Sequence, residues 1–185
     1  MPVIVVANPK GGVGKSTLST NLAGWLAHQG HAVMLGDADR QQSARTWLSL
    51  RPAGLPLITG WEVQADHLVK PPKGTTHVVL DTPAGLHGRK LDEVMKIADQ
   101  VLVPLQPSIF DIYATRAFVT ELLARRKSEK VRVAVVGNRV RDGSISAGQL
   151  DAFLGTLGVP LLGHLRDTQN YIHLAARGLT LFDVA

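Results

Sequence analysis

A segment near the start of the chain has the residue types and spacing needed to hold a polyphosphate. It reads Lys10-Gly11-Gly12-Val13-Gly14-Lys15-Ser16-Thr17 and follows an apolar run. Glycine allows the unusual backbone dihedral angles and the close approach that bring several N–H donors onto phosphate oxygens. A helix beginning after the last glycine would direct its unpaired N–H groups and the positive end of its dipole at the same oxygens. The segment therefore predicts a phosphate-binding loop.

Two side chains of this loop are expected to act on a nucleoside triphosphate and its metal ion. Lys15 would contact the β- and γ-phosphates, and the hydroxyl of Ser16 would bind Mg²⁺ directly. The loop departs from the strict pattern G-x-x-x-x-G-K-[ST], which would have glycine where this chain has Pro9. A glycine-rich turn that binds nothing is the disfavoured alternative, because strand, loop and helix follow in the order that a phosphate site requires.

Carboxylates follow two later apolar runs, and phosphoryl transfer needs such groups to hold Mg²⁺ and to orient the attacking water. Asp81 ends the run from Val78 to Leu80, and we expect it to hold Mg²⁺ through a water molecule. Asp37 and Asp39 follow the second predicted strand. A carboxylate at a strand end can also merely cap a loop, but the upstream phosphate-binding loop favours the metal site for Asp81.

Alternating strands and helices must position these side chains, because short β-branched runs alternate with helix-length amphipathic segments. The predicted strands are Val3 to Ala7, Ala32 to Gly36, His77 to Leu80, Gln100 to Pro104, Val131 to Gly137 and Pro160 to His164. The predicted helices are Ser16 to Gln29, Gln41 to Leu50, Leu91 to Ala98, Ile112 to Arg126, Ser146 to Leu157 and Thr168 to Arg177. Most of these strands are too apolar to face water. We therefore expect an α/β fold, a doubly wound, mainly parallel sheet flanked by helices, with its ligand at the carboxyl ends of the strands.

The chain has the length of one globular domain, and residues 1–185 are interpreted as a single domain. Residues 51–74 are rich in proline and glycine and predict a connection around a short helix candidate, Val63 to Val69. The sequence has no cysteine, which excludes disulfides and thiolate metal sites. No apolar stretch approaches the roughly 18 to 20 residues of a spanning helix, and no signal-type leader precedes the first strand. A cytoplasmic protein fits these observations best.

The segment from Lys10 to Thr17 resembles the deviant Walker A box, K-G-G-x-G-K-[ST], of the ParA/MinD family of partitioning and positioning ATPases. The resemblance implies a P-loop fold, ATP and Mg²⁺ as ligands, and a nucleotide-sandwich dimer in which Lys10 reaches the partner's phosphates. Asp81 to Gly85 resembles the family's Walker B strand and switch II. Weaker similarity covers nearly the whole remaining chain. It includes Pro104 to Asp111, which would help to form the dimer face, and Tyr171 to Phe182.

The sequence Asp37-Ala38-Asp39-Arg40-Gln41 resembles the family's switch I box, D-x-D-x-Q. The resemblance implies that Asp39 belongs to the metal site and prepares water for attack on the γ-phosphate. Arg40 replaces the proline that the family most often has, although a subgroup that includes the division-site regulator MipZ carries arginine there. The subfamily therefore stays open.

Asn138 and Arg139 follow a predicted strand, where the family commonly has an Asn-Arg pair. The resemblance implies that Asn138 reads the adenine edge, since an amide can both donate and accept a hydrogen bond. An asparagine that only shapes a strand-to-loop turn is the equally weighted alternative. The chain lacks the acidic partner of an NKxD-like box, so ATP is expected rather than GTP.

The resemblance is greatest to the small, Soj-like ParA type. The chain shows neither the basic amphipathic C-terminal helix that anchors the MinD branch to membranes nor an N-terminal helix-turn-helix segment as in larger ParA proteins. We therefore expect no membrane binding and no site-specific operator binding. Relatives usually continue into another helix, so the chain is predicted to lack a final C-terminal helix.

The positive charge of the chain is concentrated in one segment. The formal net charge is +5, and Arg116 to Arg141 contains eight cationic and two anionic side chains. Such a cluster could neutralise DNA phosphates without reading bases. The candidate DNA-binding residues are Arg116, Arg125, Arg126 and Lys127. The alternative is a solvated helix end whose cations complement the helix dipole.

These observations predict a ParA-like ATPase that dimerises around two ATP molecules and binds double-stranded DNA nonspecifically in that state. It would release DNA after hydrolysis and be stimulated by a ParB-like or other adaptor, so that it partitions a plasmid or chromosome or positions another cargo over the nucleoid. One alternative is a MipZ-like nucleotide-switched regulator of a cell-division or cytoskeletal partner, which Arg40 favours. Another is a metabolic P-loop enzyme with a small-molecule acceptor.

Overall fold

A computed structural model of the chain describes residues 1–64, 67–68, 71–125 and 131–184. Its main sheet has seven parallel strands in the order β3-β2-β6-β1-β7-β8-β9. The strands are β1 (Val3–Val6), β2 (Val33–Asp37), β3 (Ile58–Trp61), β4 (Val63–Gln64), β5 (His67–Leu68), β6 (His77–Asp81), β7 (Gln100–Leu105), β8 (Arg132–Val140) and β9 (Leu161–Arg166). The helices are α1 (Lys15–His28), α2 (Ser43–Leu50), α3 (Gly88–Ile97), α4 (Ile109–Arg125), α5 (Ile145–Leu154) and α6 (Asn170–Ala175). The predicted doubly wound α/β fold is confirmed.

Helices cover both faces of the sheet because successive strand residues point to opposite sides. In β1, Val3 and Val5 belong to one apolar cluster, which includes residues of α3, α4 and α5. Ile4 and Val6 belong to a second cluster, which includes residues of α1 and α2. All four β1 residues are buried, so the strand before the glycine-rich loop is fixed from both sides. Within the described residues, no helix has the length and apolar character needed to cross a bilayer.

The prediction for residues 51–74 is wrong in two places. Ile58–Trp61, which was interpreted as part of a connection, forms the parallel edge strand β3 beside β2. The predicted helix from Val63 to Val69 does not form, because Val63 pairs antiparallel with Leu68 and Gln64 with His67. The nucleation free energy of so short a helix is unfavourable, and without strong packing the helix is less stable than the β-pairing. Residues 65, 66, 69 and 70 lie outside the described residues.

A buried ion-pair cluster holds the carboxyl-terminal part of the chain against the ends of α1 and α2. Asp183 accepts hydrogen bonds from both terminal nitrogens of Arg51, at 2.9 and 3.0 Å, and from the Thr180 hydroxyl at 2.7 Å. The His28 ring lies 2.8 Å from the same carboxylate. Burial alone raises the pKa of Asp183, but these hydrogen bonds outweigh it and hold the pKa well below its ordinary value. The cluster therefore favours the charged carboxylate.

We predict that Asp183→Asn lowers the free energy of unfolding by about 3 kcal/mol at pH 7, because it leaves the buried Arg51 unpaired. Since the folded pKa is depressed, this contribution is complete well above the ordinary value of 3.8 and is lost as the pH falls through and below it. Urea denaturation of both chains between pH 7 and pH 3 measures the difference. Asp167→Asn, which breaks the exposed Arg141 pair, is the control and should cost under about 1 kcal/mol. Equal losses in the two variants would contradict the buried cluster.

Candidate functional site

The glycine-rich loop lies between β1 and α1, at the carboxyl edge of the sheet. Gly12 and Gly14 have φ angles of 76° and 92°, which a residue with a Cβ rarely adopts. Gly14 is the N-cap residue of α1, and no side chain among the described residues caps this helix. The first N–H groups of α1 are therefore directed at the space in front of the loop, where they and the helix dipole favour an anion.

Asn138 packs against the loop from β8. Its amide nitrogen donates to the carbonyl of Val13 at 2.7 Å, and its oxygen accepts from the Arg139 N–H at 3.0 Å. A Cβ at Gly14 would lie 1.9 Å from this amide nitrogen, so only glycine fits at that position. The sequence predicts that Asn138 follows the strand, and this position is wrong. β8 continues past Gly137 to Val140, so Asn138 lies within the strand. One amide N–H of Asn138 therefore holds the loop.

Lys15 is 8% exposed and is held inside the loop. Its ammonium donates to the Lys10 carbonyl at 2.7 Å. Burial lowers the pKa of Lys15, while the charges of Asp81 and Asp39 oppose that effect. The ammonium thus gains charge compensation from two carboxylates, and bound phosphate oxygens would add to it.

Asp81 is 1% exposed at the end of β6. The Ser19 hydroxyl donates to it at 3.1 Å. The pKa of Asp81 is raised to about 6, mainly by burial; hydrogen bonding from Ser16 and Ser19 and the charge of Lys15 partly offset this rise, and the charge of Asp37 adds to it. The carboxylate predicted to hold Mg²⁺ therefore lies beside the first turns of α1, where the predicted direct ligand, Ser16, is located. Ser19 was missed, although its spacing of three from Ser16 places both on one helix face.

The two carboxylates of switch I have different environments. Asp37 is buried, and its oxygens accept from the N–H groups of Asp39, Ala44 and Arg45 at 2.9, 2.8 and 3.2 Å. It therefore fixes the turn and the start of α2. The Asp39 carboxylate is partly exposed, accepts from the Gln41 N–H at 3.0 Å and acts electrostatically on Lys15. This difference supports the choice of Asp39 for the water-preparing role.

Further contacts at the mouth of the loop were not predicted. The Gly85 N–H of switch II donates to the Pro9 carbonyl at 2.7 Å. The Gln106 amide donates to the Gly12 carbonyl at 2.7 Å, and the Lys10 ammonium forms an ion pair with Asp111. Segments after β6 and β7 thus hold the loop by its backbone and by Lys10, the lysine expected to act across a dimer.

Two of the four candidate DNA-binding residues lie on α4, a helix of 17 residues that begins near the loop and is about 25 Å long: Arg116 near its middle and Arg125 at its last position. Arg116 is exposed on this helix. Arg125 already pairs with Asp92 at 2.6 Å and with Glu121 at 2.9 Å, so much of its charge is compensated within the chain. Arg126 and Lys127 lie outside the described residues. A DNA interface on α4 would therefore depend first on Arg116.

The residues around the loop fit a nucleoside triphosphate with Mg²⁺. A Cβ at Gly11 or Gly12 would meet no atom of the described part of the chain within 4 Å, so the loop backbone is open to a ligand there. Lys10, Lys15 and the N-terminus of α1 supply positive charge for the polyphosphate. The Ser16 hydroxyl and the carboxylates of Asp39 and Asp81 supply the hard oxygen ligands that Mg²⁺ prefers. Strand, glycine-rich loop and helix, with these side chains at one sheet edge, define a P-loop nucleotide-binding protein.

Comparisons with known proteins identify the family. A family model described as the CobQ/CobB/MinD/ParA nucleotide binding domain matches residues 4–181. Maintenance of carboxysome distribution protein A from Halothiobacillus neapolitanus is 30% identical over 190 residues, covering 98% of this chain and 87% of that protein. Protein ParA from Rhizobium radiobacter is 33% identical over 114 residues, covering 60% of this chain and 51% of that protein. This chain belongs to the MinD/ParA family of nucleotide-binding domains, which confirms the resemblance predicted from the sequence.

A solved structure of McdA from Cyanothece in complex with ATP has the same fold. It matches with a TM-score of 0.76 at 17% sequence identity and covers 100% of this chain and 90% of that chain. At this level of identity the likeness concerns the path of the chain. It agrees with the seven-stranded parallel sheet and its helices on both faces.

Proposed function

We propose that this protein is a Mg²⁺-dependent ATPase of the ParA type that positions or partitions a cargo. The observation that carries the proposal is the placement of Lys15 inside the glycine-rich loop and of Asp81 against the first turns of α1, where Ser19 donates to it. The similarity to a carboxysome distribution protein and to a ParA protein supports positioning or partition over a metabolic role. Arg141 stands where an NKxD-like box beginning at Asn138 would have its guanine-reading aspartate, which supports ATP as the nucleotide.

Different residues of the chain are proposed to bind the phosphates, the metal ion, the attacking water and the adenine base. When bound, ATP would supply the phosphoryl group that is transferred to water, and Mg²⁺ would neutralise part of its charge. Lys15 and the N–H groups of the loop would hold the β- and γ-phosphates, and Ser16 and Asp81 would hold the metal ion. Asp39 orients the attacking water, and Asn138 donates to the adenine edge.

Lys10 is the residue that would join two copies of the protein in the proposed ATP-bound dimer. The early lysine of the loop lies at the loop mouth, 35% exposed, where it could reach the phosphates of a second copy. The ATP-bound dimer would present two copies of α4, and thus two Arg116 side chains, to nonspecific double-stranded DNA. An adaptor of the ParB kind would stimulate turnover and connect the cargo, and the protein would act in the cytoplasm on the nucleoid.

Sizing the protein by light scattering after chromatography with Mg²⁺ and either ADP or ATP tests the proposal. The ADP sample should run as a monomer. The ATP sample should run as a dimer, most clearly in the slowly hydrolysing Asp39→Ala variant. A monomer with both nucleotides would overturn the proposed switch, and a dimer with both would remove its nucleotide control.

For the DNA interface, we predict that Arg116→Glu weakens the ATP-dependent DNA affinity by about tenfold or more, because each dimer loses two phosphate contacts and gains two repelling charges. Fluorescence anisotropy with a labelled duplex of random sequence, at two salt concentrations, measures both affinity and its salt dependence. Arg177→Glu, an exposed charge reversal outside α4, is the matched control. If both variants lose affinity equally, α4 is not the interface.

A further inference from the structure

Asp111 stands out among the charged residues that the proposed chemistry does not use. It lies in the first turn of α4, is buried, and forms an ion pair with the Lys10 ammonium. The Asp111 side chain is 11% exposed and that of Lys10 is 35% exposed. A half-buried pair of this kind is screened less than a surface pair and holds the lysine in one direction.

A buried polar network sets the geometry of this pair. Asn8, which is fully buried, accepts from the Lys10 N–H at 2.9 Å. Its amide nitrogen donates to the Pro104 carbonyl at 2.8 Å and to the Thr115 hydroxyl at 3.2 Å. Thr115 and Asp111 are four residues apart on α4 and therefore share one helix face. The backbone and the side chain of Lys10 are thus both tied to α4 within one chain.

The ion pair with Asp111 holds Lys10 on its own chain, so a contact with a partner's phosphate competes with it. The ammonium has three donors, but the Asp111 carboxylate is buried in the first turn of α4, and moving the ammonium toward a second copy weakens its attraction to that carboxylate. The chain then has two states, one with Lys10 on Asp111 and one with Lys10 released, and a ligand favours the state that it binds better. The side chains next to Asp111, Ile109 and Phe110, are 61% and 76% exposed, so a second copy docking on this turn would reach the pair.

We propose that Asp111 is a positioning residue that retains Lys10 on its own chain in the monomer and thereby raises the ATP concentration needed for dimerisation. This inference rests on the proposed function, in which Lys10 acts across the dimer. It concerns how that dimer is regulated: Asp111 opposes assembly until the γ-phosphates of two bound ATP molecules offer Lys10 a better partner.

The test is Asp111→Asn, which keeps the size of the side chain and removes its charge. The ATP concentration for half-maximal dimerisation, measured by light scattering with Mg²⁺, should fall about tenfold, within the range of typical coupling between sites. The affinity for ADP should not change, because the monomer binds ADP without using Lys10 across an interface. Asp111→Glu retains the charge and should stay closer to the wild type. Asp92→Asn, which removes an equal charge from the pair with Arg125, is the matched control and should have no effect.

Two further measurements separate the possible failures. In the ADP-bound monomer, the ¹⁵Nζ resonance of Lys10 should shift in Asp111→Asn and stay unchanged in Asp92→Asn; no shift would contradict the ion pair itself. Thermal unfolding identifies a variant that does not fold, in which case Asp111→Ser, which also removes the charge, carries the comparison. If Asp111→Asn needs the same or more ATP than the wild type, the inference is overturned while the proposed function stands. A wild-type chain that never dimerises with ATP overturns both.

Discussion

Replacing Lys15 with alanine is expected to weaken ATP binding at least about 100-fold. Two charge-assisted hydrogen bonds to phosphate are lost, each contributing roughly 1.5 to 3 kcal/mol, and tenfold in affinity corresponds to about 1.4 kcal/mol. The substitution also removes a cation whose charge stabilises the buried carboxylate of Asp81. Titration with a fluorescent ATP analogue in the presence of Mg²⁺ measures the loss. Dimerisation and DNA binding should be lost together with ATP binding, because both are proposed to require bound ATP.

Lys96→Ala is the matched control for this loss. Lys96 is an exposed lysine of α3 that pairs with Glu93 one helical turn away. Its removal changes the net charge equally and should leave ATP affinity within about twofold, because exposed pairs contribute little. Affinity retained by Lys15→Ala, or lost equally in both variants, would show that the loop does not hold the phosphates.

Asp39→Ala is expected to separate ATP binding from ATP hydrolysis. Because Asp39 is proposed to orient the attacking water, its removal should lower turnover by about 10²- to 10⁴-fold, the usual contribution of a positioned acid or base. The phosphate contacts of Lys15 and the loop remain, so ATP affinity and the ATP-bound dimer should persist. Phosphate release under single-turnover conditions, measured beside light scattering, reports both properties in one sample.

Asp142→Ala is the control for this second prediction, since Asp142 is an exposed carboxylate in the turn after β8. Its turnover should equal that of the wild type. If Asp39→Ala hydrolysed ATP at the wild-type rate, another residue would have to orient the attacking water. Asp37 is a poor candidate for that role, because its carboxylate already accepts hydrogen bonds from N–H groups at the start of α2. Loss of ATP binding in Asp39→Ala would instead indicate that Asp39 mainly holds the metal ion.

The strands of the fold could be predicted because parallel strands covered on both faces give continuous apolar runs. The same reasoning failed for Ile58–Trp61, where Thr59 and Gly60 are exposed between two buried residues. That pattern is neither an apolar run nor a strict alternation. Its strand character comes from pairing with β2 at the sheet edge, which is a tertiary effect that the local sequence does not contain.

The loop and its carboxylates could be predicted because the phosphate site is built from one strand, one turn and one helix end. The side chains that hold the loop were harder to find. Asn8 contacts Thr115, and Lys10 contacts Asp111, across more than a hundred residues of sequence. Each of these residue types is common in solvated positions, and only the folding of β7 and α4 beside β1 brings them together. Ser19 alone had a local signal, its helical spacing from Ser16.

The binding of ATP at this loop is tested most directly by isothermal titration calorimetry of the wild-type chain with millimolar ATP and Mg²⁺. We expect a saturable heat with one site per chain, which weakens when the metal ion is chelated and vanishes in Lys15→Ala. No heat of binding under these conditions, or an equal heat from Lys15→Ala, would contradict the assignment of the loop as a nucleotide site.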